Sequence, residues 1–196
     1  MKYRTLGKTG LSVSEIGLGA EWLERHNAQE VKEIIDRCEE AGINILDCWM
    51  SEPNVRSNIG KAIAGKRDRW IIQGHIGSTW QDGQYVRTRQ MDKAKEAFED
   101  LLARLGTDYI DLGMIHFVDE VREFHQIMDG EFLEYVLKLK QDGVIRHIGM
   151  STHNPVSYTH LCAYLFRRRH SVRPPYDPGP GHGSRFPHAG KIFRPF

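Results

Sequence analysis

The sequence of 196 residues contains no long apolar run, and its three cysteines, Cys38, Cys48 and Cys162, lie far apart. A bilayer helix needs roughly 20 consecutive apolar residues, so we expect no membrane association. The amino terminus, "MKYRTLGKTG", lacks the apolar segment of a secretory signal, which predicts a cytoplasmic protein. Cysteines without a CxxC or CxxH pair argue against both a disulfide framework and a zinc site.

Metal and nucleotide motifs are also missing. No HxxxH or HxH pair occurs on a predicted strand, and Arg146 beside His147 disfavours a cation site there. No metal site is therefore predicted. The stretch "GLGAEW" is not a G-x-G-x-x-G fingerprint, and no G-x-x-x-x-G-K-[ST] loop occurs. If the chain binds a dinucleotide, it must use another device.

The net charge of +1 conceals two unlike parts of the chain. Residues 156–196 contain seven Lys/Arg, a single acid and six of the eight prolines, whereas residues 1–155 contain 20 basic and 25 acidic residues. A basic arm for an acidic partner such as nucleic acid is one interpretation of this tail. We favour the other, a disordered segment or an artefact such as a frameshift, and expect no nucleic-acid partner.

Between residues 14 and 151, strand-like and helix-like patterns alternate. The predicted strands cover residues 14–20, 43–47, 69–77, 109–116 and 145–151, and the predicted helices cover residues 27–42, 54–65, 92–106 and 131–143. Parallel neighbours need crossover connections, so the pattern predicts βα units in either a doubly wound sheet or a (β/α)₈ barrel. The preceding stretch, "YRTLGKTGLSVS", predicts a small β-hairpin that would cap the bottom of a barrel.

Two predicted strands end in polar side chains, Asp47 and His116, and a third carries His75 near its end. Alone, Asp47 would serve equally as a turn cap, and His116 as a buried, hydrogen-bonded histidine. In parallel sheets, however, the loops at the carboxyl ends of the strands form the site. The shared position of these residues therefore predicts a functional centre.

The order and spacing of four segments resemble the N-terminal half of the aldo-keto reductases over about residues 2 to 155: "YRTLGKTGLSVSEIGLGA", "AGINILDC", "FEDLLARLGTDYIDLGMIH" and "GVIRHIGMSTHNP". The resemblance implies a partial (β/α)₈ (TIM) barrel, with an N-terminal hairpin and about five of eight strands. It also implies reduction of aldehydes or ketones with NADPH. The sequence looks most similar to a bacterial and archaeal branch that often carries a C-terminal iron–sulfur segment, but it has no cysteine cluster for one.

In this family a Tyr protonates the carbonyl oxygen, with an Asp, a Lys and a His beside it. The resemblance assigns Asp47 and His116 to the Asp and the His. Glu52 stands where the family has Tyr, and His75 stands where it has Lys. We predict these four as catalytic residues, with Glu52 or His75 as the proton donor.

Other tyrosines near this part of the chain, Tyr3 and Tyr85, are predicted to lie in segments unrelated to the site. The proton donor is therefore not expected to be a tyrosine.

For the cofactor, the resemblance places Gly19 and Ala20 near the nicotinamide ribose, beside Asp47. Ser151 matches the first residue of the family's Ser-Asn pair, which holds the nicotinamide amide, and Thr152 replaces the second. The family grips the adenosine phosphate near its last two strands, which have no counterpart here. Strong NADPH binding by this chain alone is therefore not expected.

Three functions remain open from the sequence. The first is an NADP(H)-dependent oxidoreductase acting on a small carbonyl substrate. The second is an inactive barrel fragment that binds a partner or a small molecule. The third is a carbonyl lyase or isomerase in which His75 and His116 act as acid and base. The oligomeric state is not predicted.

Overall fold

The computed structural model describes residues 1–154, so the predicted tail at residues 156–196 lies outside the described residues. The strands of the described part are β1 (Tyr3–Thr5), β2 (Ser12–Ser14), β3 (Leu18–Gly19), β4 (Ile45–Cys48), β5 (Ile71–Ile76), β6 (Ser78–Gln81), β7 (Gln84–Arg87), β8 (Ile110–Ile115) and β9 (Ile145–Met150). Its α-helices are α1 (Ala28–Glu40), α2 (Pro53–Ile63), α3 (Met91–Leu105), α4 (Val121–Met128) and α5 (Glu131–Gln141). None of these helices is long and apolar enough to cross a bilayer.

The central sheet has five parallel strands in the order β3-β4-β5-β8-β9. Each new strand adds beside the previous one, as in a barrel, whereas a doubly wound sheet reverses its order at a switch point. The predicted α/β class and the partial barrel are confirmed. All five predicted strands are present, although the first is only two residues long.

Helix boundaries follow local signals in the sequence. Asn27 caps α1, and its side chain and that of Glu30 bond reciprocally to backbone amides in a capping box. Just beyond α1, Gly42 has φ of +79°, a left-handed conformation that favours glycine. The predicted helix over residues 27–42 therefore begins and ends close to its expected limits.

The two faces of the sheet bury different residues. Leu46 and Ile72 point outward into the main core beneath the helices, and both are fully buried. Ile45 and Leu112 point to the interior face and pack with Leu6 of the N-terminal hairpin. Side chains alternate between faces with a period of two, so the hairpin fills the bottom of the interior, as predicted.

Besides two short 3₁₀ helices, Glu21–Arg25 and Arg67–Arg69, the described residues contain two further features that were not predicted. The first is the antiparallel β6–β7 hairpin, whose turn residues Asp82 and Gly83 both have positive φ, as in a type I′ turn. The second is α4, between β8 and α5. Both lie near the carboxyl ends of the strands, where the polar residues of the site are found.

Helices α2 and α3 cross closely at Gly60. A Cβ atom added there would lie 2.1 Å from the Arg104 carbonyl oxygen and 2.9 Å from Leu105 Cα. Alanine normally stabilises a helix by about 1 kcal/mol relative to glycine. Here the backbone would have to move, so Gly60→Ala is expected to reduce the free energy of unfolding by about 2 kcal/mol, measured in urea.

The matched control is Gly19→Ala, because a Cβ at Gly19 meets no atom within 4 Å. Its effect on stability should stay within about 0.5 kcal/mol. A Gly60→Ala protein as stable as the unmodified chain would contradict this account of the helix crossing.

Candidate active site

Three strands deliver polar side chains to the interior face at their carboxyl ends. Asp47 lies in β4, His75 lies in β5, and His116 follows β8 directly. Asp47 comes two residues after Ile45 and His116 four residues after Leu112, so the period of two places them on the interior face. The structure therefore brings together three of the four residues that the sequence predicts as catalytic.

These three side chains are linked by hydrogen bonds. Asp47 Oδ1 lies 3.0 Å from His75 Nε2, and His75 Nδ1 lies 2.8 Å from His116 Nδ1. The two histidines are each only 4% exposed, whereas the Asp47 side chain is 37% exposed. The linked groups thus run from an accessible carboxylate to a buried imidazole.

A fourth member of this set is Tyr85. The prediction that Tyr85 lies in an unrelated segment is wrong, because its hydroxyl lies 2.6 Å from His116 Nε2. The β6–β7 hairpin follows β5 after a single residue, Gly77, and its second strand carries Tyr85 to His116. We call Asp47, His75, His116 and Tyr85 the polar network.

Trp49 packs against two members of the polar network. Its indole stacks on the His116 ring, with centroids 5.8 Å apart and planes at 11°, and it meets the Tyr85 ring edge-on at 5.2 Å. These contacts restrict the orientation of both rings. The preceding residue, Cys48, is buried, and burial raises the pKa of its thiol to about 12, so the thiol stays neutral.

Two arginines hold the β6–β7 hairpin in place. Arg87 and Arg89 pair with Glu123 of α4 at 3.2 and 3.0 Å, and both donate to the Phe117 carbonyl at 2.9 and 3.2 Å. Phe117 has φ of +54°, a left-handed conformation that strains a residue with a side chain. Because this residue follows His116, the contacts also fix the path of the chain at the site.

The surroundings set the charge of the polar network. Burial, and then the neighbouring His75, lower the pKa of His116 to about 3, so its imidazole is neutral near pH 7. Burial raises the pKa of Tyr85, against the opposing effect of Arg87 and Arg89, so the phenol stays protonated. A neutral His116 is therefore able to accept the Tyr85 proton.

Glu52, predicted as one of two proton donors, makes its hydrogen bonds outside the polar network. It caps α2, accepting from the Val55 amide at 2.7 Å and from Asn54 Nδ2 at 3.0 Å. A carboxylate is stabilised there by the unpaired amides of the first helical turn. The site thus has a tyrosine hydroxyl from another segment, while Glu52 stabilises a helix.

The residues predicted to approach the nicotinamide ribose lie at the end of β3. The Ala20 amide donates to the Asp47 carbonyl at 3.0 Å, which ties this loop to the site. Gly19 is exposed, and a side chain added there would meet nothing within 4 Å. This edge therefore leaves room for a ligand beside Asp47.

The predicted nicotinamide-amide residues lie just after β9. Ser151 Oγ accepts from the Phe117 amide at 2.8 Å and retains its own proton for another acceptor. Thr152 Oγ1 donates to Asp119 at 2.8 Å and accepts from the Asn154 amide at 3.1 Å, so its hydroxyl is already engaged. Ser151 fits the predicted role better than Thr152. Within residues 1–154, no three His, Cys, Asp or Glu side chains are grouped to hold a metal ion.

Acidification tests the environment of His116. Its pKa is about 3 in the fold and 6.5 in a reference state, so the unfolded chain binds more protons between these values. This group should make stability fall as pH drops from about 6.5 toward 3, by up to about 1.4 kcal/mol per pH unit. Urea unfolding at several pH values measures the slope, which His116→Gln should reduce.

The exposed His26 provides the control for acidification, because it lies at the surface and is not a member of the polar network. His26→Gln should keep the slope of the unmodified protein. Equal slopes in all three proteins would contradict the buried, neutral state of His116.

Together, the fold and the polar network define a β/α-barrel type of protein with its polar centre at the carboxyl ends of the strands, the usual place for a barrel's active site. The aldo/keto reductase family profile matches residues 15–175. The chain belongs to the aldo-keto reductase family, as the resemblance predicted. The match ends within the segment that was assigned to the tail.

Individual relatives agree with this assignment. The uncharacterized oxidoreductase YqkF of Bacillus subtilis is 35% identical over 162 residues, 79% of this chain and 50% of its own length. The NADH-specific methylglyoxal reductase of Escherichia coli is 27% identical over 177 residues, 82% of this chain and 52% of its own. A solved aldo-keto reductase of Bacillus halodurans, in its holo form, has a TM-score of 0.71 at 34% identity, covering 85% of this chain and 54% of that one. The chain spans about half the length of the curated relatives it matches.

Proposed function

We propose that this protein is an NADP(H)-dependent oxidoreductase that interconverts a small aldehyde or ketone and the corresponding alcohol. The observation that carries the proposal is the polar network, which lies at the carboxyl ends of parallel strands in an aldo-keto reductase fold. Gly19, which is exposed and has open space beside it, and the Ser151 hydroxyl would hold the nicotinamide end of the cofactor. When bound, the reduced cofactor supplies a hydride.

The chain's own residues then have two tasks, to orient the substrate carbonyl and to supply a proton to its oxygen. Trp49 provides an aromatic wall beside His116 and Tyr85 that excludes water from the buried end of the polar network. A carbonyl oxygen placed against Tyr85 would accept its hydroxyl proton. Proton transfer from a positioned acid contributes roughly 10²- to 10⁴-fold to such reactions.

The lyase or isomerase alternative receives less support. All four ring nitrogens of His75 and His116 lie within hydrogen-bond distance of other members of the polar network. Neither histidine therefore presents a free nitrogen to a substrate. This favours a reaction in which the histidines act through Tyr85 rather than directly.

A binding module without catalysis is the second candidate. It is favoured by Glu52 and His75, which stand where the resemblance to the family places the catalytic Tyr and Lys. In that case the protein would bind a small molecule at the same face and leave it unchanged.

A purified full chain tests the proposal. Consumption of NADPH, and separately of NADH, is followed with a panel of aldehydes that includes methylglyoxal. We expect carbonyl-dependent oxidation of NADPH that falls at least tenfold in His75→Phe and stays unchanged in the surface control His26→Gln. Binding of NADPH without turnover of any carbonyl would support the binding module and overturn the reductase.

A further inference from the structure

For a carboxylate at Asp47 and a neutral imidazole at each histidine, hydrogen-bond chemistry fixes the position of every proton in the polar network. The ionised Asp47 carboxylate can only accept, so His75 Nε2 carries a proton and donates it. His75 Nδ1 is then bare, and its 2.8 Å contact requires a proton on His116 Nδ1. His116 Nε2 is bare in turn and accepts from the Tyr85 hydroxyl. All the hydrogen bonds point from Tyr85 toward Asp47.

One neighbour competes for this assignment. The Gln73 side-chain amide lies 3.5 Å from His75 Nε2, the same nitrogen that Asp47 contacts at 3.0 Å. The shorter bond is to a charged acceptor and is therefore the stronger of the two. Asp47 thus decides which nitrogen of His75 carries the proton.

Only the ends of the polar network are open to other groups. The oxygen of Tyr85 retains lone pairs after donating to His116, and the Asp47 side chain is 37% exposed at the other end. The buried histidines between them have every nitrogen engaged. Asp47 can therefore hold a proton at one end of the polar network, and Tyr85 can give a proton to a substrate at the other.

We propose that Tyr85 is the proton donor to the carbonyl oxygen of the substrate, and that His116, His75 and Asp47 form the relay that restores its proton. The inference rests on the proposed oxidoreductase function and identifies the acid for it. The position where the family has its tyrosine holds Glu52, which caps a helix instead.

In the direction of carbonyl reduction, the polar network first takes up one proton. One proton from solvent joins the Tyr85 oxygen, while the Tyr85 hydroxyl proton passes to His116 Nε2, the His116 Nδ1 proton passes to His75 Nδ1, and the His75 Nε2 proton passes to Asp47. Asp47 now donates to His75 Nε2, His75 Nδ1 donates to His116 Nδ1, and His116 Nε2 donates to Tyr85. The Tyr85 O–H bond is free to point at the substrate.

As the carbonyl carbon receives its hydride, the Tyr85 O–H bond breaks and its proton joins the carbonyl oxygen, giving the alcohol. Each neighbour then passes one proton toward Tyr85, which regains its hydroxyl from His116. Asp47 ends ionised, and the polar network returns to its resting arrangement. Alcohol oxidation follows the same path in reverse and releases the proton to solvent at Tyr85.

The first experiment measures the histidine tautomers directly and needs neither cofactor nor turnover. ¹⁵N NMR of the full chain with labelled histidine, near pH 7, should find His116 protonated at Nδ1 and His75 protonated at Nε2. In Tyr85→Phe, the His116 Nε2 signal should shift as its hydrogen bond is lost, while His75 keeps its tautomer. A proton on His116 Nε2 in the resting protein would overturn the relay.

The second experiment measures turnover. Tyr85→Phe keeps the ring against Trp49 and removes only the hydroxyl, so we expect kcat for carbonyl reduction to fall roughly 10²-fold or more. The dissociation constant of NADPH should change by less than about twofold. Tyr135→Phe, on α5, is the matched control and should retain the kcat of the unmodified protein.

The outcomes distinguish a failure of the Tyr85 assignment from a failure of the proposed oxidoreductase function. An unmodified protein that reduces carbonyls, together with a Tyr85→Phe variant within about threefold of its kcat, overturns the assignment of Tyr85 and leaves the oxidoreductase function intact. An unmodified protein with no turnover on any carbonyl overturns the oxidoreductase function itself, whatever tautomers are found.

Discussion

Replacing Asp111 with alanine is expected to lower the free energy of unfolding by about 3 kcal/mol. The Asp111 side chain, on β8, is 3% exposed and accepts from the buried Ile72 amide at 3.0 Å. It also accepts from Arg67 at 2.9 Å and from Arg146 at 3.0 Å. Alanine would leave the amide without an acceptor and both guanidinium groups without their counter-charge. Equilibrium unfolding in urea measures the loss.

Two variants separate the causes of this loss. Asp111→Asn keeps the size of the side chain and an acceptor for Ile72, so it should cost less than alanine. Asp142→Ala removes a surface ion pair with Lys138, whose side chains are 42% and 65% exposed, and should change stability by less than about 1 kcal/mol. An Asp111→Ala protein as stable as Asp142→Ala would contradict a buried charge cluster.

The barrel segment could be predicted from the sequence because its signals are local. Asn27 and Glu30 form the capping box that starts α1, and Gly42 allows the left-handed turn after it. Apolar runs that end in Asp47 and His116 predicted strands whose polar ends meet. Parallel strands bring their carboxyl ends to one edge whatever the lengths of the connecting helices.

Tyr85 could not be placed in the same way. The resemblance to the family places the tyrosine at a fixed spacing from Asp47, and that spacing holds only if the loops keep the lengths usual in the family. The contact of Tyr85 with His116 spans 31 residues, so no local period reports it. A local signal for the hairpin was nevertheless present, because Asp82-Gly83 lies between two strand-like runs.

Helix α4 was also not predicted, because its ion pairs join residues that are distant in sequence. It has only eight residues, and one of them, Glu123, pairs with Arg87 and Arg89 of a distant segment. Short helices are stabilised mainly by tertiary contacts rather than by their own sequence. The ion pairs of Glu123 with Arg87 and Arg89, which hold the β6–β7 hairpin, therefore could not be predicted from local sequence patterns.

The proposed relay shows how a barrel can keep a reaction while moving one of its groups. Asp47, His75 and His116 come from three neighbouring strands, and the hydroxyl arrives from a hairpin after β5 rather than from the loop after β4. Each loop of a barrel varies with little effect on the others, because the strands fix their starting points. A tyrosine on any loop that reaches His116 meets the same geometric requirement.

Replacing Asp47 with asparagine is expected to lower kcat for carbonyl reduction roughly 10²-fold or more while preserving the resting structure. The amide oxygen of asparagine still accepts from His75 Nε2, so the resting tautomers should persist in ¹⁵N NMR. An amide cannot take the proton that His75 passes to the Asp47 carboxylate, so the polar network could not be loaded and Tyr85 would not be reprotonated through His116. Steady-state kinetics and NMR on the same sample separate a lost proton from a lost fold.

Chemical rescue provides the sharpest control on Asp47, because a side chain that is 37% exposed leaves an accessible space when truncated. Added formate should restore part of the turnover of Asp47→Ala by supplying a carboxylate next to His75. It should restore none to Tyr85→Phe, which lacks the group at the other end of the relay. Full activity in Asp47→Asn would mean that Tyr85 recovers its proton directly from solvent, and the relay through the two histidines would have to be abandoned.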